Sequence, residues 1–488
     1  MKRLSVFVIT IALIVGLVGC TPVPTQYNLT ISSTEGGEVT EPGEETFTYD
    51  GGEVVDLVAK PDEGYRFVNW TGEVDTIANV NAATTTITMN GDYSITANFV
   101  AVYDLTISST EGGSVTTPGE GVFTHCAGTV VGLAVRTDVG YHFLNWTGDV
   151  DTIADVNGSS TTITINDHYS ITANFEEEKA VTFADPSLEA AIREAIYIPE
   201  RPLYPSDLKG LTSLHAYHKN ISDLTGLEYC TSLTALDLRW NQISDISPLA
   251  NLTSLTFINF WENQISNISP LANLTNLTEL YLLHNQISDI SPLASLTNLT
   301  GLRLESNQIS DISLLANLTN LTWLYLESNQ ISDISPLANL TELTELGLSG
   351  HQISDISLLV DLTRLTSLVL YDSQISDISP LADLTNLTQL YFDGNQISDI
   401  SPLANLTDLE ELGLGHNQIS DIWPLANLTN LWRLYLDGNQ ISDISPLVEN
   451  EGLSEGDDVD LRWNPLNWDS INIYIPQLEA RGVTVYYD

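Results

Sequence analysis

The sequence predicts a multidomain chain: two small all-β modules, then a solenoid of short parallel β-strands backed by short helical turns, opened by a helical N-terminal cap. Three observations carry this. Residues 27–99 and 103–175 align without a gap at an offset of 76, Ile recurs every 22 residues from Ile221 to Ile441, and an apolar segment at the N-terminus is too short to be a domain. A self-similar period of that length is the signature of stacked repeats, each too small to bury its own apolar face.

Length and charge bound the function. At 488 residues the chain exceeds one ordinary hydrophobic core. Its 43% hydrophobic residues exclude a wholly disordered chain, and its net charge of −48 excludes nucleic acid as a partner. Binding to phosphate backbones needs Lys and Arg clusters that release counterions. The same field repels anionic membrane surfaces.

Lys2 and Arg3 precede an apolar run from Val6 to Gly19, shorter than a comfortable bilayer span. It ends in Leu17-Val18-Gly19-Cys20, which resembles the bacterial lipoprotein lipobox. The resemblance implies a signal peptide over 1–19, lipid attached to Cys20 and a tether over 20–26. The protein would then sit in the cell envelope, exposed outside the cytoplasm, touching the membrane only through its anchor. A plain secretory signal leaving a free Cys20 is the alternative. Of the other cysteines, Cys230 fills a slot that nearby repeats give to Leu252, Leu274 and Leu296, so it reads as a small buried hydrophobe. A Cys126–Cys230 bridge stays open at this point.

In the two modules, alternation marks strands at Tyr27, Leu29, Ile31, at Val55, Leu57, Ala59 and at Tyr93, Ile95, Ala97, Phe99, with turns at Pro42-Gly43 and Pro118-Gly119. Trp70 and Trp146 are expected as core anchors, the alternative being a carbohydrate platform. Asp149, Asp151, Asp155 and Asn157-Gly158 have the wrong spacing for an EF-hand and read as a solvated turn. The motif Gly64-Tyr-Arg-Phe-Val-Asn-Trp70, repeated as Gly140-Tyr-His-Phe-Leu-Asn-Trp146, resembles the divergent internalin B-repeat. It implies a spacer or weak adhesive role.

The solenoid occupies 211–452 as eleven units, between an N-terminal cap over 180–210 and a C-terminal cap over 453–488. A representative unit reads Leu277-x-x-Leu280-x-Leu282-x-x-Asn285-x-Ile287, then Ser288-Asp-Ile-Ser-Pro-Leu-Ala-Ser-Leu-Thr. Leu-x-Leu makes one strand with its apolar side inward. The Asn amide pairs with backbone groups of neighbouring turns. Ser291-Pro292 is expected to open a helical turn with Ser as its N-cap. Asp185-Pro186 starts the cap helix, whose Leu188, Ala191, Ile192, Ala195 and Ile196 share a face. Positions 351 and 373 break the Asn column with His and Ser. The Asp-Pro-x-Leu cap helix followed by Ile-Ser-Asp-Ile units resembles the internalin leucine-rich-repeat domain over residues 181–488. In that family the concave sheet face grips a protein partner, and B-repeats lie between solenoid and anchor. That order holds here with the chain direction reversed. No immunoglobulin-like segment is expected after the solenoid, so the resemblance does not extend to a host-receptor role.

The third, fifth and seventh positions of each unit are expected to face the partner. The candidate binding residues are Arg239, Trp240, Phe257, Trp261, Tyr281, Arg303, Trp323, Tyr325, Tyr371, Tyr391, Arg433, Tyr435 and Trp463. Aromatics with a few Arg are what interface centres use, and the acidic residues among them favour a basic partner. A second column, with Asp at ten of eleven places from Asp223 to Asp443, reads as solvated turn carboxylates or as a ladder relieved by divalent cations. No metal site, cofactor or catalytic residue is expected. Gly452-Leu-Ser454-Glu-Gly456 matches the nucleophile-elbow pattern, but no His follows it. The expected function is cell-surface protein binding or adhesion. The alternative is a structural, cation-dependent envelope component that binds wall polymers or itself.

Overall fold

The structure is a computed structural model that describes residues 23–350 and 352–488. The signal segment, Cys20 and His351 lie outside the described residues. The chain divides into two compact units, Met1–Glu178 and Lys179–Asp488.

In the first unit, each module wraps its own core between a share of one seven-stranded sheet and a three-stranded sheet. The alternating residues behave as expected: Leu29, Ile31, Leu57, Ile95 and Ala97 are buried. Trp70 and Trp146 are 1% and 2% exposed, and their indole N–H groups donate to Ala82 O and Gly158 O at 3.0 and 3.1 Å. A sugar cannot stack on a ring with no accessible face, so the carbohydrate alternative falls. The Asp turn is also accounted for, because Asp149 accepts from Ser170 N and Asp155 from Asn157 N. Residues 100–102, outside both aligned segments, are not a linker. A single strand, Tyr93–Ser109, runs through them and pairs with strands of the first module in its first half and of the second in its second half.

The second unit is built on one parallel thirteen-stranded sheet whose strands follow chain order. Eleven three-residue strands come from the repeats, in register at steps of 22: Leu214 pairs with Leu236, then Ile258, Leu280 and onward. Two more, Asp458–Asp460 and Thr484–Tyr486, belong to the C-terminal segment. Behind the sheet, Leu and Ile of every turn merge into one continuous core. Cys230 is fully buried in it as a free thiol, and Cys126 is also free, so no bridge joins them. Burial first, and Glu228 second, push the Cys230 thiol up to about 12, which leaves it unreactive.

The N-terminal helix is Pro186–Ile196 with Asp185 as N-cap. One Asp185 oxygen accepts from Ser187 N and Leu188 N, while the other accepts from Ser222 N at 2.7 Å, which ties the helix to the first repeat. Burial alone would raise this carboxyl, but the four N–H groups of Ser222, Leu188, Ser187 and Asp223 hold it below its ordinary value. Ala195, expected on the buried face, is exposed.

Side-chain ladders of Asn and of Thr hold successive turns together. Asn285 donates to Phe260 O of the preceding turn and Leu282 O of its own, and accepts from Ile265 N. Thr256, Thr278, Thr300 and their equivalents donate to the carbonyl of the Thr one turn earlier, a pairing that apolar periodicity does not signal. The Asp column, whose contacts lie within each turn, corrects the Ser-Pro expectation. Ser291 is the first residue of a 3-10 turn, Ser291–Ser295, and Asp289 caps it by accepting from Ser291 N at 2.8 Å. Ser cannot cap because its own backbone is already inside the turn. The Asp column is therefore a run of caps. Backbone and hydroxyl donors of the following Ser hold Asp289, Asp311 and Asp377 below the ordinary carboxylate range despite like charges along the column. Among the described residues no group of three or more His, Cys, Asp or Glu is placed to hold a metal ion.

At Ser373 the Asn ladder is cut: its hydroxyl donates only within its own turn, to Tyr371 O at 3.2 Å. Asn395, one turn on, shows what is missing, with bonds to Leu370 O and Ile375 N of the turn before. Ser373→Asn is expected to restore the equivalent bonds to Leu348 O and Ile353 N and to stabilise the solenoid by about 1 kcal/mol. Thermal denaturation would show a midpoint raised by roughly 2–4 °C; an unchanged midpoint would count against the ladder as a source of stability.

Candidate binding face of the solenoid

Each strand buries its central Leu and turns its first and third residues to the opposite face, as the two-residue period of a strand requires. Parallel register then stacks the third strand residues into one row: Tyr281, Arg303, Tyr325, Gly347, Val369, Tyr391, Gly413 and Tyr435. The expected tyrosines thus line one face rather than scattering. Phe257, Trp323 and Arg433 stand in the neighbouring row, and Arg239, Trp261 and Tyr371 follow just beyond the strands; all are half-buried. Trp240 and Trp463 sit one residue further along, where every turn adopts a left-handed backbone, at φ 56° and 59°. Trp463 is 60% exposed and belongs to the C-terminal segment, where its ring meets His416 at 5.6 Å.

The rings touch in series. Phe257 meets Tyr281 at 5.5 Å, Tyr281 meets Trp323 at 5.4 Å, and Trp323 meets Tyr325 at 6.4 Å, with the Arg303 guanidinium 4.8 Å over Tyr325. Trp323 reaches back to Tyr281 because residue 301 between them is glycine; a Cβ there would lie 1.7 Å from the indole. A separate group at the first repeats stacks His218, Trp240 and Trp261 at 4.4 and 4.6 Å, and the buried Trp261 Nε1 has no hydrogen-bond partner.

Carboxylates are set among the rings. Arg303 is paired with Glu305, and Tyr325 donates to Glu345 at 2.5 Å. Tyr391 donates to Glu411, which also takes Arg433 at 3.1 Å. Burial and the hydrogen bonds to these carboxylates hold the Tyr325 and Tyr391 hydroxyls well above their ordinary range, so both remain donors at any physiological pH. Burial, with a smaller push from Glu305, raises Glu327 to about 7. Buried oxygens of Glu305 and Glu327 have no hydrogen-bond partner. Sequence reading placed Glu305, Glu327 and Glu345 on this face but could not show how far each sinks into it; only contact with glycines and rings on adjacent strands decides that. Ser454, of the elbow-like sequence, lies in a turn where its N–H is capped by Asp457 at 2.7 Å.

Fold and face together define a class, a leucine-rich-repeat solenoid in one chain with β-repeat modules. Leucine-rich-repeat proteins bind protein partners on the concave, strand-bearing face. Residues 27–102 and 103–179 match the Divergent InlB B-repeat domain. Residues 231–273, 253–295, 275–317, 297–339, 319–361, 363–405 and 407–449 match paired Leucine Rich repeats. The crystal structure of an internalin (inlF) from Listeria monocytogenes is 36% identical, with 63% of this chain and 95% of that chain covered at a TM-score of 0.56. An internalin C2 (inlC2) of the same species is 37% identical over 48% of this chain and 97% of that one, at a TM-score of 0.37. No curated protein matches the chain. The chain belongs to the internalin family of leucine-rich-repeat proteins, whose homologues are extracellular or cell-surface proteins of bacteria.

Proposed function

We propose that this is a lipid-anchored surface protein, held through Cys20, that presents the concave face of its solenoid to a protein partner and performs no catalysis. The observation that carries the reading is the unbroken ring path from Phe257 through Tyr281 and Trp323 to Tyr325, lying on the sheet face with Arg303 over its end. Half-buried aromatics with Arg contribute large contact area at small entropic cost, which is how interface centres are made. The Asp column has a structural role that needs no cation, since one oxygen of each of Asp289, Asp311 and Asp377 accepts from the backbone N–H two residues on.

The test is partner capture from envelope extracts and neighbouring cells by the purified chain, followed by substitution. Trp323→Ala combined with Tyr281→Ala is expected to weaken capture by about 2–4 kcal/mol, roughly thirtyfold or more. The melting midpoint should move little, because both rings lie outside the Leu core. Capture that survives the double substitution unchanged would remove the concave face from the binding reaction.

A further inference from the structure

The binding face contains one arrangement twice, three turns apart. Tyr325, Glu327, Glu345 and Gly347 recur 66 residues later as Tyr391, Asp393, Glu411 and Gly413. In both copies the Tyr hydroxyl donates to the Glu on the next strand. In both, the acidic side chain lies across the glycine of that strand: a Cβ at Gly347 would stand 2.0 Å from Glu327 Oε1, and one at Gly413 would stand 2.5 Å from Asp393 Oδ2.

Among the differences between the copies, one bears on charge at the paired Glu. Glu411 has Arg433 beside it on the next strand, bonded at 3.1 Å and stacked 4.2 Å over Trp432. At the equivalent place beside Glu345 stands Ser367. Glu411 accepts from Gln389, Tyr391 and Arg433, whereas Glu345 accepts from Tyr325 alone among the described residues. Around Tyr325 stand Glu345, Glu327 and Arg303, and Arg303 is already paired with Glu305. The second copy therefore shows, within this chain, how a guanidinium seats on the Glu of this pair; in the first copy Arg303 lies over the tyrosine ring but pairs with Glu305, and Glu345 has no guanidinium.

We propose that the space over Ser367 receives an arginine side chain of the protein partner, its guanidinium paired with Glu345 and set against Tyr325 as Arg433 is against Glu411 and Tyr391. This rests on the concave-face reading above and gives it a chemistry: a basic residue docks where the aromatic path ends. A carboxylate beside aromatic rings suits a planar, stacking guanidinium better than a compact ammonium, and the excess of carboxylates here supplies the complementary field.

The experiment uses N-acetylarginine amide as the probe, followed by NMR saturation transfer from the purified chain at physiological ionic strength. Saturable binding is expected, weakened at least tenfold by Glu345→Gln and by Ser367→Arg, and unchanged by Glu411→Gln. A crystal structure of the Ser367→Arg variant is expected to show the new guanidinium on Glu345. Non-saturable transfer, or saturable binding that Ser367→Arg leaves intact, would overturn the proposal, as would equal binding of N-acetyllysine amide. The two readings fail separately. If capture of the partner is lost with Trp323→Ala but intact with Ser367→Arg, the face binds and this subsite does not. If Ser367→Arg blocks the probe while Trp323→Ala leaves capture untouched, the subsite stands and the wider reading falls.

Discussion

Asn307→Ala is expected to destabilise the solenoid by about 4 kcal/mol, the sum of a few orphaned buried groups at 1–3 kcal/mol each. Asn307 donates to Leu282 O at 2.9 Å and to Leu304 O at 3.0 Å, and accepts from Ile287 N at 2.9 Å. Ile287 and Leu304 are fully buried, and Asn307 itself is 8% exposed. Alanine leaves those backbone groups facing a space the side chain once filled, and water reaches it poorly. The stacked turns touch only their neighbours, so a fault in the fourth or fifth turn weakens the coupling of everything on either side. Urea denaturation should show a lower midpoint and a broader or split transition. Asn307→Asp separates the contributions, since it keeps the acceptor for Ile287 N and loses both donors. A loss below about 1 kcal/mol for the alanine variant would mean that solvent or backbone relaxation replaces the ladder bonds.

The second large effect depends on pH. In the folded chain Glu327 binds its proton up to about 7, whereas the ordinary value for an exposed Glu is 4.5. The cause is burial first, then the Glu305 carboxylate, with Arg303 and backbone N–H groups opposing. Between those two values the native state holds more protons than the unfolded state, so stability falls as pH rises through this window. Above it the full cost of burying the charge is present, about 3 kcal/mol at 1.36 kcal/mol for each unit. Glu327→Gln has the shape of the protonated acid and escapes that cost. The variant is expected to match the parent near pH 4.5 and to exceed it by about 3 kcal/mol at pH 8. Chemical denaturation at the two pH values measures the gap directly. A gap of equal size at both would show that Glu327 is ionised throughout and that its surroundings are wetter than its contacts indicate.

Much of the solenoid was legible because its physics is periodic. Ile at every 22nd place and Leu-x-Leu on one side of each strand prescribe burial before any contact is known. Asn285 and its equivalents could be assigned to backbone pairing because a polar side chain recurring inside an apolar pattern has to bond something there. The misreadings were local. Ser291 looked like an N-cap because Ser before Pro usually is one, yet Asp289, two residues earlier, holds that role. Residues 100–102 lie outside the duplicated pattern, and their Val100-Ala101-Val102 suits the strand that runs through them.

The sequence alone determined which residues repeat and therefore which are brought into register: the strand rows, the ladders and the identity of the face bearing Tyr281, Tyr325, Tyr391 and Tyr435. Periodicity suffices for that, since it is a property of spacing. Tertiary structure decided the rest: that Trp323 leans over Gly301 to reach Tyr281, that Glu327 lies across Gly347, and that Glu345 lacks the guanidinium that Glu411 has. Those facts depend on residues one or two turns apart in the chain and one or two strands apart in space, whose side chains choose their directions only when the neighbouring turn leaves room.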